Sequence, residues 1–344
     1  MQPAVPDFLP PLASQSAAEP RLEFAKWLVA PENPLTARVQ VNRAWSAFFG
    51  KGLVTTEGDF GLQGNPPSHP KLLDWLAVDF IEQGQSIKKL HRQLVMSATY
   101  QQSSRTTETQ LKLDPQNRWL SKANRIRLNA EQVRDLVLTA SGLLNRQQFG
   151  PPVFPPQPEG ANETAYGGAT WNTSVGPDRF RRGIYTFLKR TSPYAMFNTF
   201  DAPSGEFCLA QRETSNTPLQ ALSLLNDTVI LEAAEAMGEQ LASTPVTDAE
   251  RIDLIFKRCL NRSASSEEQI RVAQFVQQNR QRFAAGELMA STLLPNIFSR
   301  RSIPNDTETR PVETGKPEPR MDEVAAWAAT ARVILNLDET IMRN

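Results

Sequence analysis

Apolar residues recur along most of this chain with the 3.6-residue period of an amphipathic helix, and proline punctuates the pattern. The proline-free windows 35–65, 71–114, 116–150, 219–244, 246–294 and 320–344 are therefore where long helices can form. Between Pro34, at a favoured helix start, and Gly50, at a favoured stop, Ala37, Val41, Ala44, Trp45 and Phe48 make one apolar face. A second helix is predicted from about Pro70 to Gln83, with Ser68 as its cap, Gly84 as its terminator and a stripe of Leu73, Leu76, Ala77 and Phe80. Ser86 can cap a third, whose stripe is Ile87, Leu90, Leu94 and Ala98. Asn129, with Gln132 three residues on, has the form of a capping box ahead of Val133, Leu136, Val137 and Ala140. Thr217-Pro218 opens another helix with Leu222, Leu225 and Val229 inward, and Asn226-Asp227 bends or restarts it. Further helices fit 248–260, 265–285 and 322–336.

Strand signal is sparse. Ile184, Tyr185, Thr186 and Phe187 within Gly183–Lys189 are β-formers, and a short partner is expected near Met196–Phe200. Residues 146–178 hold six prolines and five glycines and read as a long loop, which is where a sub-boundary would fall. Residues 299–320 read as a flexible polar excursion, and residues 1–20, with five prolines, as a linker or extended arm ahead of the main body 21–344. The fold class that follows is mainly α: a multi-helical assembly with a small β element and long proline/glycine-rich loops.

Composition narrows the function classes. The chain has 344 residues with 37 basic and 37 acidic side chains, so its formal charge is zero, which argues against a nucleic-acid binder. No apolar run approaches the 18 residues or so of a membrane span. The opening residues lack the cationic start and apolar core of a signal peptide. Two cysteines, Cys208 and Cys259, and two histidines, His69 and His91, are the whole soft-ligand inventory. No metal site is expected from so few and so scattered ligands, and no Cys-x-x-Cys-His exists to attach a c-type haem. The two thiols are expected to be unpaired. His91, between Leu90 and Leu94, reads as a core histidine.

Four polar clusters carry the candidate chemistry, each with a binding or catalytic reading and a structural one. Arg38 and Asn42 share a helix face beside Arg43 and Trp45, either as an anion- or sugar-binding surface or as a polar flank tying the helix to its loops. Asp59 lies among Gly58, Gly61 and Gly64 ahead of His69: an acid–base pair if the loop folds them together, otherwise a structured connection. Glu131 and Asp135 share a face, as glycosidase acids do. Arg127 and Arg134 nearby would instead keep both ionised, which favours an ion-pair network. The last cluster runs from Arg179, Arg181 and Arg182 through Arg190 and Asp201 to Arg212, Gln220 and Asn226: a grip on sulfate or carboxylate, or a set of internal charge pairs.

Taken in order, NPLTARVQVNRAWSAFFGKGLV, GDFGLQGNPPSHPKLLDWLA, KKLHRQLVMSATYQQSS, DPQNRWL, RIRLNAEQVRD, RRGIYTFLKR, FDAPSGEFC, RETSNTPLQALSLLND and ARVILNLDETIMRN resemble the planctomycete-specific domain one, over about residues 20–344. The resemblance implies a domain of unknown function at the C-terminal end of large exported proteins, behind cytochrome-c-like haem modules. It implies haem on such an upstream module and none here, that module as a partner, and a periplasmic or extracytoplasmic location. The chain then reads as a fragment or a gene trimmed to its last domain. It supplies no catalytic residues; its blocks fall on Arg38, Asn42, Arg43, Asp59, His69, Arg127, Glu131, Arg134, Asp135, Asp201, Gln220 and Asn226. The leading expectation is a non-catalytic binding or scaffold module of an exported, cytochrome-linked assembly. The alternatives are a carbohydrate-active enzyme on sulfated polysaccharide, using the paired acids with Trp45 and Trp171, and a docking surface for a haem module.

Overall fold

Helices form where the proline-free apolar stripes lie. The computed structural model describes residues 5–12, 19–158, 160, 171–297 and 319–343. The predicted excursion at 299–320 therefore lies outside the described residues except for its last two, as do residues 1–4 and 13–18 of the predicted arm. The fold is mainly α, with one two-stranded sheet made by β1 (Ile126–Arg127) and β2 (Met342–Arg343). The chain divides into two units. The first runs to Ile126 and takes in Leu209–Gln211; the second comprises Arg127–Cys208 and Arg212–Arg343.

In the first unit, α1 (Pro20–Val29) starts with proline in its first turn and buries none of its side chains. No apolar stripe announces it. The core is built by α2 (Thr36–Phe49), α3 (Pro70–Glu82) and α4 (Ile87–Val95). α2 ends where Gly50 adopts a left-handed conformation, φ 78°, and its N–H reaches back to the Ser46 carbonyl. The buried face of α2 is Ala37, Val41, Asn42, Ala44, Trp45 and Phe49. Phe49, four residues after Trp45 and stacked on it at 4.0 Å, thus takes the place expected of Phe48. The α3 stripe is as predicted, but His69 and not Ser68 occupies its N-cap, with no capping bond from the side chain. In α4 Leu90 and Leu94 are buried while Ile87 is exposed, and the helix ends before Ala98. Short α5 (Glu108–Leu113) is closed by a Thr107–Gln110 capping box.

The second unit centres on α9 (Thr228–Ser243) and α13 (Met321–Leu335), packed against each other and flanked by α6 (Ala130–Ala140), α8 (Pro218–Asn226), α10 (Asp248–Leu260) and α11 (Ser266–Ala284). Short helices α7 (Ala195–Thr199) and α12 (Ala290–Leu293) also belong to it. Asp227 restarts the chain between α8 and α9, its carboxylate accepting the Val229 N–H at 2.9 Å. Leu222 is exposed and Leu224 carries the buried contact of α8, a one-step shift from the predicted face. The predicted strand pair is not formed. Gly183–Tyr185 is a 3-10 turn and Met196 lies in α7. A Cβ on Gly183 would lie 2.8 Å from the Glu131 Cα, so the chain there turns tightly over α6 and cannot run flat. The extended residues around it bridge to the 145–153 stretch, through Asn145–Arg181 and Val153–Thr186. Both cysteines are free, Cys208 exposed and Cys259 buried, where burial pushes the thiol up to about 12.

The α9–α13 contact relies on small residues. A Cβ on Gly238 would sit 2.6 Å from the Ala328 backbone nitrogen and 2.7 Å from the Val324 carbonyl oxygen. Backbone cannot yield as a flexible side chain can. Gly238→Ala should therefore destabilise the second unit by about 1–3 kcal/mol despite alanine's better helix propensity. Urea unfolding followed by far-UV circular dichroism would show a lower midpoint; an unchanged or raised one would contradict this close approach.

Candidate functional site

Buried backbone without regular structure needs side chains to complete its hydrogen bonds, and in the second unit arginine does this work. Arg134, fully buried on α6, donates from Nη2 to the Arg179 carbonyl at 2.8 Å and from Nε to the Arg181 carbonyl at 3.4 Å. Arg181, also buried, donates to the carbonyls of Gln147, Phe149 and Pro151 and lies over the Tyr185 ring at 3.9 Å. Arg179 pairs with Glu232. The expected acid partners are thus redistributed. Glu131 is held by Arg212 in a bidentate pair, 2.7 and 3.1 Å, and Asp135 by Arg182 and the Gly183 N–H, 2.9 and 2.6 Å. Neither acid is held by Arg127 or Arg134. Burial pushes the Glu131 carboxyl up, but hydrogen bonds and charge from Arg212, with a backbone bond of its own, outweigh it and hold the group below its ordinary value.

Arg127 instead donates to Gln220 Oε1 at 2.6 Å. Gln220, 1% exposed, returns donors to the Thr199 carbonyl and toward Ser215 Oγ, whose hydroxyl and N–H both bond Asp201. Asp201, in a left-handed conformation at φ 60°, is thereby a loop anchor. Ser215 has an acid beside it, Asp201, and among the described residues its hydroxyl makes no hydrogen bond to a histidine. Asn226 accepts from Arg332 and donates to the Leu222 carbonyl. Arg190 is exposed. Trp171 stacks on Tyr194 and donates to the Pro155 carbonyl, so it packs the loop and offers no sugar platform. Asp227 is shifted the other way from Glu131: burial pushes its carboxyl up, against the Val229 N–H and the charge of Arg134. Its Oδ1 nonetheless caps α9.

In the first unit Arg38 pairs with Asp74 and donates to the Pro34 carbonyl, while Arg43 is exposed. Asn42 is fully buried and clamps Val54 from both sides, Nδ2 to its carbonyl at 2.9 Å and its N–H to Oδ1 at 2.8 Å. Asp59 accepts the Gly61 N–H at 2.7 Å and forms no bond with His69, whose Nδ1 meets Ser68 Oγ at 3.0 Å. Of the two readings of that loop, the structured connection is the one formed, and Asp59 and His69 are not brought together as an acid–base pair.

Beside these residues the first unit carries an open groove. Two cavities of about 380 and 490 Å³ share Ser68, Gln116 and Arg118. Gly52, Leu53 and the Trp45 edge form one wall, held in place by the Asn42 clamp. Gly52 is required there, because a Cβ would lie 2.5 Å from the Val54 carbonyl oxygen. The other wall is the 114–124 turn. Asp114 accepts the N–H groups of Arg118 and Trp119, both at 2.8 Å, which with the nearby cationic side chains holds its carboxyl below the usual range despite some desolvation. Asn117, at φ 49°, donates to the Lys122 carbonyl and to Asn124 Oδ1, and Asn124 donates to the Phe49 carbonyl at the end of α2. The two walls are thus tied by a chain of amides. On the rim stand exposed Lys51, Gln116 and Arg118, and Trp119, a residue 70% exposed whose indole makes no hydrogen bond among the described residues.

Of the predicted site residues, His69 lines this groove and Asn42 supports it from behind. Asp114, Asn117, Trp119 and Asn124 are not among the predicted site residues, although the first three lie in the DPQNRWL block. Polar residues in a short turn carry no periodicity, so their convergence is a property of the fold. Among the described residues no group of three or more His, Cys, Asp or Glu side chains is placed to hold a metal, and no helix is long and apolar enough to cross a membrane. A family model described as PSD1, protein of unknown function (DUF1553), matches residues 20–276. No curated protein and no solved structure matches the chain.

Two outcomes test this reading of the polar clusters. Asn42→Ala leaves the buried Val54 N–H and carbonyl without partners and should cost about 2–4 kcal/mol in chemical denaturation, where removal of an exposed asparagine costs little. Glu131, depressed below its ordinary 4.5, stabilises the fold fully above that value and progressively less as pH falls through its folded-state value. The stability gap between the wild type and Glu131→Gln should therefore narrow from pH about 6 to about 3 in thermal melts. A gap that widens on acidification would contradict the Arg212 pairing.

Proposed function

The chain belongs to the PSD1 family of proteins of unknown function (DUF1553), and from that premise we propose that it is a non-catalytic binding or scaffold module. One observation carries the reading: the clustered acids of the second unit that could do bond-breaking chemistry are committed to holding the fold. Glu131 is in a two-point pair with Arg212, Asp135 with Arg182 and the Gly183 N–H, and Asp201 with Ser215. A general acid needs a raised pKa and a path to substrate. Glu131 and Asp114 are shifted the other way, each by partners that prefer the ionised form.

The groove of the first unit supports binding in place of turnover. It is open and of a size that small-molecule sites share, about 300–1,000 Å³. Its single carboxylate, Asp114, caps two backbone N–H groups and faces no second acid in the lining. The sulfated-polysaccharide enzyme loses its support for the same reason, since each acid it invoked is paired. The exported, extracytoplasmic setting beside a cytochrome-c-like partner that carries the haem belongs to this proposal and rests on the sequence resemblance.

A turnover screen of the full chain across glycosides, sulfate esters and carboxyl esters tests the proposal. The expected result is no rate above background, with Asp59→Asn and Glu131→Gln indistinguishable from the wild type. Hydrolysis that is lost in either variant, with the fold intact by circular dichroism, would reject it.

A further inference from the structure

Taking the binding reading as its basis, we propose that the groove of the first unit binds an acidic polysaccharide, with sugar rings stacked on Trp119 and their carboxylate or sulfate groups held by Lys51 and Arg118. Three features point to this ligand class. The first is the indole. Trp119 is presented by a turn whose backbone Asp114 fixes through two hydrogen bonds, yet the residue is 70% exposed. A large apolar ring that a rigid turn holds out to water, beside a groove, offers a flat face for a flat partner at low entropic cost. The second is charge. The charged side chains lining the cavity of about 380 Å³ are Lys51 and Arg118, both cationic. The one acid of the adjoining cavity, Asp114, is already answered by backbone N–H groups and the charges of Arg118 and Lys122. The third is the neutral polar set. Gln116 is exposed on the rim, and Thr55, Asn65 and Ser68 add hydroxyl and amide groups that can both donate and accept, as sugar hydroxyls require.

Other anionic polymers fit less well. An added peptide strand needs an unpaired sheet edge, and a docked helix needs a row of apolar anchors. The lining provides neither. A nucleic acid would be expected to meet a wider basic surface than two rim cations on a chain of zero formal charge.

The test is a glycan array followed by titration calorimetry on the full chain, with polygalacturonate as the carboxylated arm, chondroitin sulfate as the sulfated arm and dextran as the neutral arm. The expected result is binding in one or both acidic arms and none to dextran, weakening steeply between about 50 and about 500 mM salt. Trp119→Ala should weaken binding roughly tenfold or more, as truncating an exposed aromatic anchor does. Lys51→Glu together with Arg118→Glu should abolish it. Trp119, Lys51 and Arg118 are exposed, so these variants should keep the wild-type melting temperature; Arg43→Glu, an exposed cation outside the groove lining, is the control that should keep affinity. Binding in no arm, equal binding to dextran, or acidic-arm binding untouched by Trp119→Ala and the double charge reversal would overturn the assignment while leaving the non-catalytic reading in place. Cleavage of a bound acidic glycan, with the variants behaving as expected, would instead sink that reading and leave the groove assignment standing.

Discussion

A polypeptide with 26 prolines among 344 residues cannot hide all of its backbone in helices and sheets. Each irregular segment that enters the interior brings carbonyls and N–H groups that must be matched, at a cost of about 1–3 kcal/mol for each one left unpaired. This constraint organises both units. In the second, the guanidinium groups of Arg134 and Arg181 reach five loop carbonyls between residues 147 and 181. In the first, the carboxamides of Asn42, Asn117 and Asn124 do the same for Val54, Lys122 and Phe49. Arginine suits the deeper task because its five donors spread in a plane. Asparagine suits the tighter one because a single short side chain both donates and accepts. Removing one such side chain costs more than its own contacts, since the loop groups it served are already out of water.

The same constraint explains why polar motifs in this chain resemble catalytic ones. Acids beside arginines, an aspartate beside a serine and a histidine among glycines are the residue types of active sites. They are also the types that stabilise irregular backbone. Geometry separates the two uses. Where an acid's oxygens face fixed cationic donors, as with Glu131 on Arg212, the ionised form is favoured and proton transfer is disfavoured. Asp227 shows the opposite electrostatics, being pushed toward the neutral form, yet it caps a helix in the interior. A perturbed acid marks a functional site only when substrate can reach it.

Much of the helical frame was legible in the sequence because helix periodicity and caps are local. Asn129–Gln132, Pro218 and the stripe of α3 each declare an element within a few residues of themselves. The family resemblance was legible for a related reason: it rests on blocks of adjacent residues. What escaped was decided by distant contacts. The β-formers at 184–187 do not make a strand, because Gly183 is pressed against Glu131, some fifty positions earlier in the chain. Arg212 takes Glu131 and so releases Arg127 to Gln220, a choice among arginines that spacing along the chain does not encode. α1 has no buried face at all, so periodicity had nothing to register.

That division between local and distant information bears on the groove. Its lining combines residues from 45–68 and 113–120, joined through Asn124 to the end of α2. The supporting amides, Asn42, Asn117 and Asn124, have their hydrogen-bonding groups occupied, whereas Lys51, Gln116, Arg118 and Trp119 on the rim are turned outward. Stability alone asks for the first group and gives no reason for the second: an exposed tryptophan on a fixed turn leaves apolar area in water that folding would otherwise remove. A groove whose walls are tied together by buried amides, and whose rim leaves the Trp119 indole uncovered on a hydrogen-bonded turn with Arg118 in the same lining, has separated the residues that hold its shape from those that remain for a partner.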